Sequence, residues 1–96
     1  MVDFINLAID KNDIIYDGKV KMTYGGQGII RFKDKMLGKR VYVIFPMLRE
    51  NTKDGVIVAV DEILNKGIHP ENDHSCGIPL GRKYVGRKCI TILQEG

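Results

Sequence analysis

The chain repeats itself at a spacing of 48 residues, and that constrains its fold more than any single motif. With Gly38 set over Gly86, Ile30 falls on Ile78, Phe32 on Leu80, Lys35 on Lys83 and Leu37 on Val85, with no gap. Further on, Lys39 falls on Arg87, Arg40 on Lys88, Ile44 on Ile92 and Phe45 on Leu93. A weaker match lies upstream, where Leu7-Ala8-Ile9-Asp10 resembles Val58-Ala59-Val60-Asp61 at an offset of 51. The pair Ile14-Ile15 resembles Ile63-Leu64 at about 48. The 96 residues read as one domain, 1–96, made of two copies of one unit, about 1–48 and 49–96, joined near Leu48. A unit of that size buries too little surface to stand alone, so the two copies must share a core.

Period and punctuation place the elements. Phe4 to Ile9 is apolar and strand-like, and Lys19 to Tyr24 alternates as a half-buried strand does. Gly25-Gly26-Gln27-Gly28 reads as a turn into a strand from Ile29 to Phe32. Lys33 to Leu37 has room for one helical turn before Gly38 stops it. Arg40 to Phe45 is the richest strand signal, and Pro46, lacking an N–H, is expected to end it. In the second copy, Val56 to Val60 is expected as a strand and Asp61 to Lys66 as a short helix closed by Gly67. Ile68 to His74 reads as irregular. Ile78 to Leu80 and Cys89 to Leu93 read as strands, around a second helical turn from Gly81 to Val85. Ile44 and Ile92 are expected to point inward at equivalent places.

Charge is segregated along the chain. Residues 31–40 and 82–88 hold nine basic residues against Asp34 alone, a net of +8, while the other 79 residues sum to −5. Such clustering points to a polyanionic partner more than the overall +3 does. The basic residues are Arg31, Lys33, Lys35, Lys39 and Arg40 in the first copy, and Arg82, Lys83, Arg87 and Lys88 in the second.

The stretch from Gly28 to Val41, GIIRFKDKMLGKRV, resembles the core of the AbrB/SpoVT swapped-hairpin family, G-x-[VI]-x-[LIF]-P-K-x-x-x-G-K-[KR]-V, and is nearest its short archaeal, transposon-associated branch. Residues 19–60 resemble one family unit, and Cys76 to Leu93 matches the core again. The family proline before the helical turn is Lys33 in one copy and Gly81 in the other, and the glycine that opens the second hairpin strand is Cys76 in the second copy. The resemblance implies a mainly β, pseudo-two-fold symmetric closed barrel of the cradle-loop kind, with short helical turns. It arises as a monomer with a pseudo-dyad or as a homodimer. It further implies a DNA-binding transcriptional or chromosome-associated regulator, with the nine basic residues above contacting phosphates of double-stranded DNA. Tyr24 and Gln27, at the hairpin tip, are candidates to touch a groove. The alternative is a cradle-loop-type adaptor that binds a protein or small ligand, with Glu50, Asp54, Asp61, Glu62, Glu71 and Asp73 as an acidic face.

Other chemistries find weaker patterns. His69, His74 and Cys76 suit zinc by type, but H-x₄-H-x-C is no standard finger and no CxxC is present. Cys89 reads as a small hydrophobe in a strand. The glycine run is no phosphate loop, because no G-K-[ST] follows. Asp10, Asp13 and Asp17 lack the later glycine and glutamate of a calcium loop. The reading is therefore of a non-enzyme without metal or cofactor. Two cysteines, no signal-like start and no apolar run near 20 residues make a reduced, cytoplasmic protein with no membrane partner the expectation.

Overall fold

A computed structural model describes residues 5–72 and 75–94. Phe4, Asp73 and His74, on which parts of the sequence reading fall, lie outside the described residues. Nine strands are described: β1 Ile5–Asp10, β2 Ile14–Lys19, β3 Lys21–Met22, β4 Gly28–Phe32, β5 Arg40–Asn51, β6 Gly55–Gly67, β7 His69–Asn72, β8 Ser75–Leu80 and β9 Lys88–Leu93. They group into a five-stranded sheet, order β1-β6-β5-β9-β2, and a four-stranded sheet, order β3-β4-β8-β7. Every pairing is antiparallel. Three 3₁₀ turns, Lys11–Asp13, Asp34–Met36 and Arg82–Tyr84, are the described helical structure.

The registers carry the 48-residue spacing into three dimensions. β4 and β8 pair about Ile30↔Ile78, and β5 and β9 pair about Val43↔Thr91. In each pair the two residues are 48 apart. The outer contacts follow the same rule. Gly38 N–H donates to the Ile68 carbonyl (3.0 Å) and Ile68 N–H to Lys39 (2.9 Å). At positions 48 away, Gly86 N–H donates to Val20 (2.9 Å) and Val20 N–H to Arg87 (2.9 Å). β3 and β7 likewise meet their neighbours through Lys21↔Ile29 and His69↔Gly77.

The helical turns form as the sequence predicts. Lys33 and Gly81 carbonyls each accept from the N–H three residues on, at 2.9 and 3.1 Å. Gly38 and Gly86 then reverse the chain at φ +83° and +82°, a left-handed region that disfavours side chains.

Four expectations are corrected. Asp61 to Lys66 is no helix: it is the second half of β6, paired with β5 from Arg40↔Gly67 to Phe45↔Glu62. Its alternation of half-buried Glu62, Leu64 and Lys66 with exposed Asp61, Ile63 and Asn65 has the strand period. Pro46 does not end β5. The strand runs on to Asn51, with register shifts on both sides of Pro46, and such irregularities are where a strand tolerates proline. The proposed join at Leu48 is thus inside a strand. Lys19 to Tyr24 is not one strand, since β2 ends at Lys19, Val20 turns into the core and β3 keeps only Lys21–Met22. Ile68 to His74 contains β7.

Burial is organised in two clusters. The larger, between the sheets, holds Val20, Ile30, Val41, Val43, Phe45, Ile68, Ile78 and Cys89. Each fully buried Ile or Phe there contributes about 1.5–3 kcal/mol relative to exposure. The smaller is made of residues of the five-stranded sheet alone and holds Ile9, Ile44, Val56, Val58 and Ile90, with Ile92 half-buried against it.

Candidate nucleic-acid interface

Each of the two helical turns is anchored by apolar residues and presents its cations outward. In the first, β4 carries Phe32 against the core, and Met36 packs on the same cluster. Lys33 and Lys35, between them, are exposed, as are Lys39 and Arg40 beyond Gly38. The buried Cys76 thiol donates to the Lys33 carbonyl at 3.2 Å and so ties this turn to β8. Burial pushes that thiol's pKa up. In the second turn Tyr84 is the buried anchor, and Arg82, Lys83 and Lys88 are exposed.

The structure divides the nine predicted cations. Arg31 grips Glu71 with two bonds of 2.9 Å, and this holds the Glu71 carboxyl below its ordinary range. Arg87 pairs with Asp61 at 2.9 Å and Glu62 at 3.6 Å, and lies 4.5 Å over the Phe45 ring. Two of the cations that the sequence assigned to a partner are thus matched by the chain's own acids. Arg40 reaches the neutral Asn65 Oδ1 at 3.2 and 3.1 Å. Arg82 reaches the Gly26 carbonyl at 3.3 Å. Lys83 sits 5.0 Å over the Tyr84 ring. Lys33, Lys35, Lys39 and Lys88 have no carboxylate within ion-pair reach among the described residues.

Arg82 also brings the second turn to the tip of the β3–β4 hairpin. The tip is closed by Thr23, whose N–H donates to the Gln27 carbonyl at 2.7 Å and whose Oγ1 accepts from Gln27 N–H at 3.1 Å. Tyr24, on this tip, is fully exposed. A turn from one half and a hairpin from the other thus share one surface. Nothing local in the sequence announces a contact across 56 residues. Because β4 and β8 are antiparallel, the two turns leave the small sheet at opposite ends.

The other candidates separate. His69 is exposed while Cys76 and Cys89 are buried. Among the described residues no group of three His, Cys, Asp or Glu side chains is placed to hold a metal ion. Asp10 caps the first 3₁₀ turn through Asn12 N–H at 2.8 Å. Asp17 is held by Arg49 with two bonds of 2.7 Å, which lowers its pKa. No helix among the described residues is long and apolar enough to cross a membrane.

Compared with family models, curated proteins and solved structures, the chain finds no significant match.

Proposed function

We propose that the chain is a DNA-binding regulator, transcriptional or chromosome-associated, built from two AbrB-like units in one small barrel. The symmetric registers at Ile30↔Ile78 and Val43↔Thr91 support two copies of one unit about a pseudo-dyad. Only three residues, Lys11–Asp13, separate the two edge strands of the larger sheet, which suits closure.

One observation carries the functional reading. The two equivalent turns display Lys33, Lys35, Lys39 and Arg40 at one place and Arg82, Lys83 and Lys88 at the other, none paired to a described carboxylate. Two cationic turns about a dyad suit the two strands of a duplex, where each phosphate neutralised releases counterions. Arg31 and Arg87 are given structural roles instead, since a side chain gripped by a carboxylate adds little net charge to the surface. With no base-reading motif, selectivity rests on DNA shape and deformability.

The test is anisotropy of a labelled random duplex with the full chain, titrated in salt. Binding should weaken steeply with salt, with a log–log slope of about −0.9 for each phosphate contacted. Replacing Lys33, Lys35, Lys83 and Lys88 by Ala should lower that slope in a protein that stays folded. Absence of binding at low salt refutes the reading. The adaptor alternative is favoured by a different observation, the exposed apolar Met47, Leu48 and Ile57 on the β5–β6 extension. A complex through that surface would be nearly indifferent to salt.

A further inference from the structure

The two halves differ where one aromatic anchor sits, and a cleft lies beside the turn that lacks it. In the second half, Tyr84 is 6% exposed and stacks on Phe45 with ring centres 4.9 Å apart. Its hydroxyl donates to Glu62 at 2.6 Å. Arg87 covers both rings, at 4.5 and 5.5 Å, and is itself held by Asp61. Two rings and a guanidinium thus pack together as a ladder against the second turn.

Moved by 48 residues, the same three places hold Met36 for Tyr84, Leu93 for Phe45 and Lys39 for Arg87. Met36 and Leu93 bring no rings to these places, the nearby aromatic pair being Tyr16 edge-on to Phe32 at 6.2 Å, and Lys39 is exposed without a described carboxylate partner. β2 also carries an irregularity between Ile14 and Tyr16, which leaves Ile15 out of register with β9. Beside this turn lies an open cleft of about 420 Å³, lined by Ile15, Phe32, Met36, Arg31, Lys33 and Lys35. That is the size of a small-ligand site.

The lining has two parts. Ile15, Phe32 and Met36 make an apolar floor, and methionine is the side chain that best adapts to a guest of variable shape. Lys33 and Lys35 line it with no carboxylate within ion-pair reach among the described residues, exposed Asp34 following Lys33 in the chain, while Arg31 is fixed beside them by Glu71. We propose that this cleft binds a small organic anion, a flat apolar body bearing one acidic group, with the body on Met36 and the acid between Lys33 and Lys35. The site is independent of the DNA reading, although it shares two lysines with it, so DNA takes no part in the test.

The probe is 8-anilinonaphthalene-1-sulfonate, which has this chemistry. Its fluorescence is titrated with the native full chain while NMR follows the methyl groups of Met36 and Ile15. Saturable enhancement with shifts at both methyls is expected. Lys33→Ala with Lys35→Ala should weaken binding by about ten-fold, the worth of one favourable ion pair of ~1.4 kcal/mol. Lys83→Ala removes the same charge as Lys35→Ala but at the second turn, and should leave binding unchanged. Met36→Tyr with Leu93→Phe copies the ladder to the first turn and should abolish binding in a folded protein. The proposal is overturned by enhancement without shifts at the two methyls. It is equally overturned if no binding occurs, or if Lys83→Ala weakens binding as much as Lys35→Ala. The lysine variants alter exposed side chains only, so they decide the matter even if the ladder variant fails to fold.

Discussion

Thr91 is a place where one half of the molecule instructs the other. It is the one described polar residue in the core at 0% exposure, and its hydroxyl oxygen has no hydrogen-bond partner. It pairs across β5–β9 with Val43, also 0% exposed, which stands at the same place in the other half. Burial pushes the pKa of the Cys89 thiol, two residues earlier in β9, up to about 11. The Thr91 hydroxyl opposes that rise, so it would donate to a thiolate that is scarcely populated at neutral pH. An unsatisfied buried hydroxyl costs about 1–3 kcal/mol, and valine offers nearly the same shape with a methyl instead. Thr91→Val should therefore stabilise the protein by about 1 kcal/mol, which raises Tm by about 4–8 °C in a domain of this size. The reciprocal change, Val43→Thr, places a second orphan hydroxyl on the same line and should destabilise by about 1–3 kcal/mol. Calorimetry and urea denaturation followed by circular dichroism measure both. A Thr91→Val protein that melts at or below the parent temperature refutes the reasoning, because the hydroxyl would then have a partner worth keeping.

Three further outcomes follow from the geometry. Asp17 and Arg49 make a two-pronged pair at 2.7 Å, but their side chains are 38% and 33% exposed, so the pair is worth about 0.5–1 kcal/mol after solvent screening. Because Arg49 lowers the Asp17 pKa, this contribution is present above the unfolded carboxyl's pKa of about 4 and is lost as pH falls through the lower folded value. Asp17→Asn should flatten the acid limb of a Tm–pH curve, and an unchanged limb would count against the pair. Gly55→Ala drives a methyl into the Ile9 carbonyl oxygen where β1 meets β6, and should cost about 2 kcal/mol or more in urea denaturation. Cys76 and Cys89 should resist a thiol reagent such as DTNB in the native protein and react at the rate of unfolding, since both are buried and burial raises both pKa values. Fast labelling at neutral pH would show that the β8 and β9 faces open independently.

The sequence was most legible where both copies kept the same small set of constraints. Gly38 and Gly86 both need positive φ, and the strands before and after them both need apolar inner faces, so the offset of 48 survives there. Upstream the offset reads 51 instead. The Lys11–Asp13 turn, which breaks β1 from β2 where β6 runs unbroken, and the register shift between Ile14 and Tyr16 together account for the difference. The missed strand in β6 shows the limit of local reading. Asp61-Glu62-Ile63-Leu64-Asn65-Lys66 has an acidic start, an apolar pair and a closing glycine, all of which suit a helix. Its pairing with Arg40 to Phe45 is worth more than that propensity, and the partner lies some twenty residues away.

The basic residues divide for the same reason. Exposure of Lys33, Lys35, Lys39 and Lys88 follows from lysines placed around a glycine-stopped turn, and was legible. The ion pairs of Arg31 with Glu71 and of Arg87 with Asp61 span 40 and 26 residues, and no local pattern encodes them. Charge segregated along a chain is therefore not charge segregated in space. Antiparallel pairing folds acids from β6 and β7 back onto the basic segments, and it pairs Arg31 and Arg87 while leaving the lysines without a described carboxylate. What is left is mainly lysine point charge, with the guanidinium of Arg40 engaged by Asn65 and that of Arg82 by the Gly26 carbonyl, a surface better suited to neutralising phosphates than to reading base edges. That distinction predicts the character of any DNA complex. Affinity should depend on salt and on duplex shape, and single base changes in the duplex should alter it by less than the roughly 1–3 kcal/mol expected of a bidentate base contact.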